Sequence, residues 1–174
     1  MNKTTAQYAG NPKRFDFPTH KQEHPAGCGP ACLRMLAEWA TTAPQSEYRW
    51  RRVPGWHPVK GLGFGRMKNA LKRIPGLMSA KVTGDELKHR RDAQAIRDLD
   101  GVDSVYLLLT DCYGQDGTNL KHWIILVDLF RAKNKKRLLA LYADPLYDAL
   151  CVWPWDALLA TRVLEGFRIE RSTS

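Results

Sequence analysis

Cys28 is followed by Gly29-Pro30 and stands where an irregular stretch gives way to a helical pattern. Apolar residues then recur at Cys32, Met35, Leu36, Trp39 and Ala40, and Pro44 lies just past the end. A thiol so placed sits at a helix N-terminus, where unpaired N–H groups and the macrodipole favour an anion. The chemistry it offers is that of a nucleophilic thiolate. Pro30 suits the first turn, because its missing N–H leaves no helical bond unmade. Such a nucleophile also needs a base to take and return a proton, and donors to hold an oxyanion. Cys32, one turn further along the apolar face, reads instead as a small buried hydrophobe.

Five histidines compete for the role of base: His20, His24, His57, His89 and His122. Only His122 begins a long apolar strand, so only it would be carried on a rigid element near the core. The runs 122–130 and 137–144 have the form of a hairpin, with the charged link RAKNKKR between them. In an antiparallel pair, opposed residues share one midpoint, and that of His122 and Asp144 is Lys133, inside the link. The hairpin therefore brings His122 and Asp144 to the same end of the sheet. A carboxylate there fixes the imidazole tautomer and stabilises its protonated form. Asp144-Pro145 alone would read as an ordinary turn starter; with His122 in register, function is the favoured reading.

These residues must be held by the elements around them. Residues 1–20 are polar, contain Pro12 and Pro18, and read as an arm, with residues 21–174 as a single domain. Residues 44–62, rich in Trp, Tyr, Pro and Arg, read as a loop. A second helix is expected with Phe64, Met67, Ala70, Leu71 and Ile74 on one face, stopped by Pro75-Gly76. Thr83 and Glu86 have capping-box spacing and open a polar helix through Ile96 and Leu99. Strands follow at Val105–Leu109, Trp123–Phe130 and Leu138–Ala143, then a short helix at Trp155–Val163 and a last strand at Gly166–Ile169. Helices first and hairpin-linked strands second imply an α+β fold, with a helical part carrying Cys28 packed on a C-terminal antiparallel sheet.

Gln22, five residues, then Cys28-Gly29-Pro30-Ala31, with Met35-Leu36 further on, His122-Trp-Ile-Ile and Asp144-Pro145, resembles the motifs of papain-like cysteine peptidases. Among them the chain is most similar to the bacteriocin-processing, double-glycine leader peptidases, over roughly residues 22 to 160. The resemblance implies a papain-like fold, an oxyanion donor at Gln22, and cleavage of a protein or peptide after a Gly-Gly pair through narrow subsites. Trp123, Trp56 and Trp153 are candidates by type to line such a cleft, although core packing is the plainer reading of each. Gly63 through Leu71 and Asp156 through Leu159 match family features less specifically. Two departures stand out: Gly27, where those peptidases usually carry an acidic residue, and the aromatic and basic insertion at 44–60.

The remaining composition excludes more than it assigns. The chain has 174 residues and a net charge of +9, enough length for one domain with a real core. No apolar run approaches the ~20 residues of a spanning helix, and the N-terminus lacks a secretory apolar stretch. A cytoplasmic location is therefore expected, with delivery into a target cell as part of a larger secreted protein as the variant. No motif frames the basic clusters, so nucleic acid is disfavoured and an acidic protein partner is preferred. Cys28 and Cys32 lack zinc spacing, and Cys112 and Cys151 are isolated, so neither metal nor cofactor is expected. Any disulfide pairing is left open.

Related folds also run amidase, acyltransferase and transglutaminase chemistry, and a degenerate binding module is a further alternative. Without a transporter segment, the chain also resembles peptidase warheads of polymorphic toxins. The expected role is a toxin or effector blocked by an immunity protein, ahead of stand-alone leader processing.

Overall fold

The computed structural model describes residues 12–89, 103–113, 119–131, 137–160 and 163–172. Helix α1 (Cys28–Thr41) starts at the residue singled out by its chemistry and buries Ala31, Cys32, Leu33, Met35, Leu36 and Ala37 along its length. Its first turn can approach the sheet closely because residue 29 is glycine. A Cβ there would lie 2.9 Å from Leu62 Cβ and 3.4 Å from Trp123 Cδ1. Helix α2 (Glu47–Arg51) corrects the loop reading of 44–62: Glu47 and Trp50 are buried, so the segment is part of the packed structure. Helix α3 (Phe64–Leu71) ends just before Pro75-Gly76, as expected.

Strand β1 (Leu77–Thr83) leads into α4 (Gly84–His89). The capping box is made: the Thr83 N–H donates to Glu86 Oε2 at 2.6 Å, and the Glu86 N–H donates to Thr83 Oγ1 at 3.2 Å. The expected continuation through Ile96 and Leu99 falls outside the described residues. Strands β2 (Ser104–Tyr113), β3 (Asn119–Arg131), β4 (Leu138–Ala143) and β5 (Leu150–Pro154) follow, then α5 (Trp155–Ala160) and β6 (Val163–Arg171). They form one six-stranded sheet in the order β1-β6-β2-β3-β4-β5, with every neighbouring pair antiparallel. The fold is α+β.

Both faces of this sheet are covered, which is why β2 and β3 are nearly continuous apolar runs instead of alternating ones. Val105, Leu107, Leu109, Trp123, Ile125 and Phe167 pack with α1, α2 and α3. Tyr106, Leu108, Ile124 and Leu126 pack on the other side with Leu87 of α4 and with Trp155 and Leu158 of α5. Strands β1 and β5 escaped the sequence reading because they are the two edges. Only Val82 of β1 is buried, and no residue of β5 is, so burial imprints little pattern on either.

Part of the N-terminal stretch packs on the fold. Pro12–Asp16 forms a 3-10 turn, Phe17 joins the core at 5% exposure, and Arg14 donates to the Ser104 carbonyl at 2.9 Å.

Candidate active site

Cys28 is the first residue of α1, half-buried and unpaired in any disulfide. Gly27 caps the helix with no side-chain hydrogen bond, so the first-turn N–H groups are not consumed by a capping oxygen. Pro30 contributes no donor there, as its place in the motif implied.

His122 lies on β3 at 8% exposure, and its carbonyl accepts the Thr110 hydroxyl at 3.1 Å, which ties it to β2. Its Nε2 is 2.8 Å from Asp144 Oδ1. That engagement leaves Nδ1 for the thiol, and Cys28 lies near enough to act on the charge of the ring. Burial works against a charged ring, but the Asp144 hydrogen bond and the charges of Cys28 and Asp144 outweigh it. The imidazole is raised from 6.5 to about 10. The structure thus brings Cys28, His122 and Asp144 together.

The register differs from the simple hairpin. Ile125 faces Ala143, and a bulge between Leu126 and Asp128 shifts the ladder, so its extension puts Asp144 across from Ile124. His122 and Asp144 therefore meet diagonally, a separation these side chains can span. The turn reading of Asp144-Pro145 holds at the same time. Asp144 Oδ1 accepts the Leu146 N–H at 2.9 Å, and the Asp144 carbonyl accepts the Tyr147 N–H at 2.9 Å. The turn aims the carboxylate at the ring.

Gln22 joins this arrangement through its backbone: its N–H donates to the Pro145 carbonyl at 2.7 Å. The segment before the thiol is thereby stitched to the turn that holds Asp144. The side-chain amide of Gln22 donates to the carbonyls of His24 and Pro25, both at 2.9 Å, and its Oε1 is buried without a partner. Service to an oxyanion then requires one of these N–H bonds to be shared or exchanged. The rest of the segment is equally tied. The Ala26 N–H donates to His24 Nδ1 at 3.1 Å, and the Gly27 N–H donates to the His24 carbonyl at 2.8 Å.

Two contacts to this segment come from 44–60, which the family resemblance had marked only as an insertion. The Trp56 indole donates to the Ala26 carbonyl at 3.1 Å, and the Glu23 N–H donates to Glu47 Oε2 at 2.7 Å. Neither residue was singled out for such a role from the sequence. The available signal was the Glu47/Arg51 spacing of four, which fits one helical turn with an acid facing a base.

The other histidines are engaged elsewhere. His20 pairs with Glu38 on α1, His24 meets the edge of Trp56, and His57 accepts backbone N–H groups of Val59 and Lys60. The His89 side chain lies outside the described residues. Cys32 is fully buried, with its Sγ 3.5 Å from the Trp123 carbonyl, and burial pushes its thiol well above the usual range. Trp123 is 1% exposed, donates to the Leu62 carbonyl at 2.8 Å and stacks with Phe64 and Phe167, so it packs the core instead of lining a cleft. Trp153 is 44% exposed on β5. No three His, Cys, Asp or Glu side chains converge as a metal site among the described residues. No helix among them is long and apolar enough to cross a membrane.

A cavity of about 840 Å³ lies away from the thiol, lined by Phe17, His20, Arg34, Glu38, Trp39 and Arg171 among others. None of Cys28, His122 or Asp144 lines it.

No protein-family model matches the sequence, and no curated protein matches it. Among solved structures, the chain is similar to the peptidase domain of Streptococcus ComA, a bifunctional ABC transporter involved in a quorum-sensing pathway. The TM-score is 0.60 at 12% identity, over 90% of this chain and 99% of that one. At so low an identity the likeness is one of architecture: the chain has the fold of that peptidase domain.

Proposed function

We propose that the protein is a papain-like cysteine endopeptidase that cuts protein substrates after a Gly-Gly pair. The observation that carries this reading is the His122–Asp144 pair, with Nε2 and Oδ1 2.8 Å apart, beside Cys28 at the N-terminus of α1. His122 holds the proton that Cys28 gives up, as a thiolate–imidazolium pair, and the thiolate attacks the scissile carbonyl. The Cys28 N–H, with Gln22 exchanging one loop carbonyl for the substrate oxygen, stabilises the oxyanion. His122 then protonates the leaving amine, and water hydrolyses the thioester through the same base. A ring raised to about 10 is charged at neutral pH, so it carries the proton that the leaving amine takes. Asp144 holds the ring and its charge.

The Gly-Gly specificity rests on the motif resemblance. Likeness to the ComA peptidase domain supports the peptidase reading over amidase or acyltransferase use of the fold. For the biological role, the net charge of +9 suits an acidic partner, which the immunity protein of a toxin or effector would be. The likeness to a transporter's peptidase domain favours a maturation enzyme.

N-terminal sequencing of fragments from a lysate treated with wild type and with Cys28→Ala tests the reaction. New termini following Gly-Gly, seen with wild type only, are the expected result; identical patterns overturn the reading. Expression in a bacterium separates the roles: growth arrest that Cys28→Ala abolishes marks a toxin. Harmless expression with clean leader cleavage marks a maturation enzyme.

A further inference from the structure

Glu47, the first residue of α2, has 0% exposure. A carboxylate taken out of water is costly unless its oxygens find donors, and an apolar residue would fill the same space without that cost. Glu47 is only partly compensated. Oε2 accepts the Glu23 N–H at 2.7 Å, whereas Oε1 has no hydrogen-bond partner and lies 3.8 Å from Arg51 Nε. Burial holds its carboxyl above the ordinary carboxylate value.

Its surroundings give a reason for its presence. A Cβ on Gly27 would lie 2.5 Å from Glu47 Oε1 and 2.7 Å from the His24 carbonyl. The absence of a side chain beside the thiol and the burial of Glu47 are thus one arrangement, with the carboxylate occupying the room a residue-27 side chain would take. Its hydrogen bond to Glu23 and the room it fills beside Gly27 both fall between Gln22 and Cys28, and the Trp56 indole pins Ala26 within the same five-residue span.

We propose that Glu47 is a positioning residue: from α2 it fixes the backbone between Gln22 and Cys28, and so the distance between the oxyanion donor and the nucleophile. The 44–60 segment is then a clamp on the reactive loop, and Gly27 is the space in which the clamp closes. The proposal rests on the peptidase reading and adds a residue outside the triad to it.

The test uses the full chain, a fluorogenic peptide ending in Gly-Gly-aminocoumarin, and titration of the reactive thiol to normalise for correctly folded protein. Wild type must first cleave in a Cys28-dependent manner; if it does not, the peptidase reading fails and not the clamp. Given cleavage, Glu47→Ala is expected to lower kcat per titrated thiol about tenfold, in line with the cost of misplacing reacting groups by a fraction of an ångström. KM should stay within about twofold, and Glu47→Gln, which keeps an acceptor for the Glu23 N–H, should recover most of the loss.

Gly27→Ala should also lower kcat in the wild-type background, and by less when Glu47 is already Ala. The clash with the His24 carbonyl is common to both backgrounds and cancels in that cycle. Unchanged kcat per thiol in Glu47→Ala, Gln no better than Ala, or strict additivity with Gly27→Ala overturns the proposal. So does failure of every Glu47 variant to fold, which would make the carboxylate a folding determinant only.

Discussion

Cys28 and Cys32 stand one turn apart on the same helix, and the structure gives them opposite lives. Cys28 occupies the first position, half-buried, with His122 beside it. Cys32 is fully enclosed beside the Trp123 carbonyl, with its thiol pushed up by burial and by the nearby charges of Cys28, Asp144 and Glu47. Residue type and helix are shared; what differs is axial position, and with it the uncapped N–H groups, the base and access to substrate. A second pair makes the same point. His20 with Glu38 and His122 with Asp144 are both histidine–carboxylate contacts, but only the second has a thiol on the ring's other side. A paired histidine is half a device, and the third partner decides whether it is chemistry or architecture.

The sharpest way to break this contrast is to remove the thiol that matters. Cys28→Ala should lower cleavage by at least about 10⁴-fold, leaving only what binding and the oxyanion donors supply. Iodoacetamide should label Cys28 in wild type, read by mass spectrometry of peptides. Labelling at Cys32 or Cys151 with activity intact would erase the distinction between the two turns.

Next in size is the carboxylate. Asp144→Asn keeps an oxygen for the Leu146 N–H, so the turn survives, but it removes the negative charge that favours imidazolium. We expect kcat to fall roughly 10²-fold. The pH dependence supplies the sign. His122 titrates at about 10 in the folded protein against 6.5 ordinarily, so the alkaline limb of activity lies near the higher value and should move toward the lower one in Asp144→Asn. By linkage, the stability from this ring is fully present below about 6.5 and is lost as pH rises through about 10. Stopped-assay pH profiles and urea melts at pH 7 and above 10 check both; an unmoved alkaline limb would remove Asp144 from its role.

The oxyanion donor comes third. Gln22→Ala should cost about 10- to 100-fold in kcat with little change in KM, because a donor used mainly in the transition state does little for ground-state binding. The structure adds a complication the spacing of six could not reveal, since both N–H bonds of this amide already serve His24 and Pro25. Part of any loss in the alanine variant therefore reflects a loosened loop. The rate of Cys28 alkylation separates the two: a loosened loop changes it, whereas loss of the oxyanion donor alone leaves it unchanged, because alkylation forms no oxyanion.

How much of this was legible follows the same physics. Helix α1, its thiol, and the hairpin of β3 and β4 were readable because burial of one helix face and two strand faces writes long apolar patterns into the chain. The pairing of His122 with Asp144 was readable only to within two residues, since the bulge after Leu126 leaves no composition signal. β1 and β5 were invisible because edges held by ladder bonds need no apolar alternation. Glu47 was passed over for a different reason. A buried carboxylate in an arginine-rich stretch looks like surface charge until the fold shows what it faces.

The smallest expected effect closes the comparison from the other side. Cys32→Ala removes a sulfur from a fully buried site and leaves the first turn untouched. The lost packing should destabilise the protein by roughly 1 kcal/mol, the low end of large-to-small core changes because only one heavy atom is deleted. In a chain of this size that is about 2–4 °C in Tm. Cleavage per folded molecule should be unchanged, and labelling of Cys28 should keep its rate. If Cys32→Ala instead slowed cleavage, the two turns of α1 would be coupled through the Trp123 carbonyl that holds this thiol. The division between a reactive first turn and a packing second turn would then have to be redrawn one residue deeper into the sheet, at the backbone that follows His122.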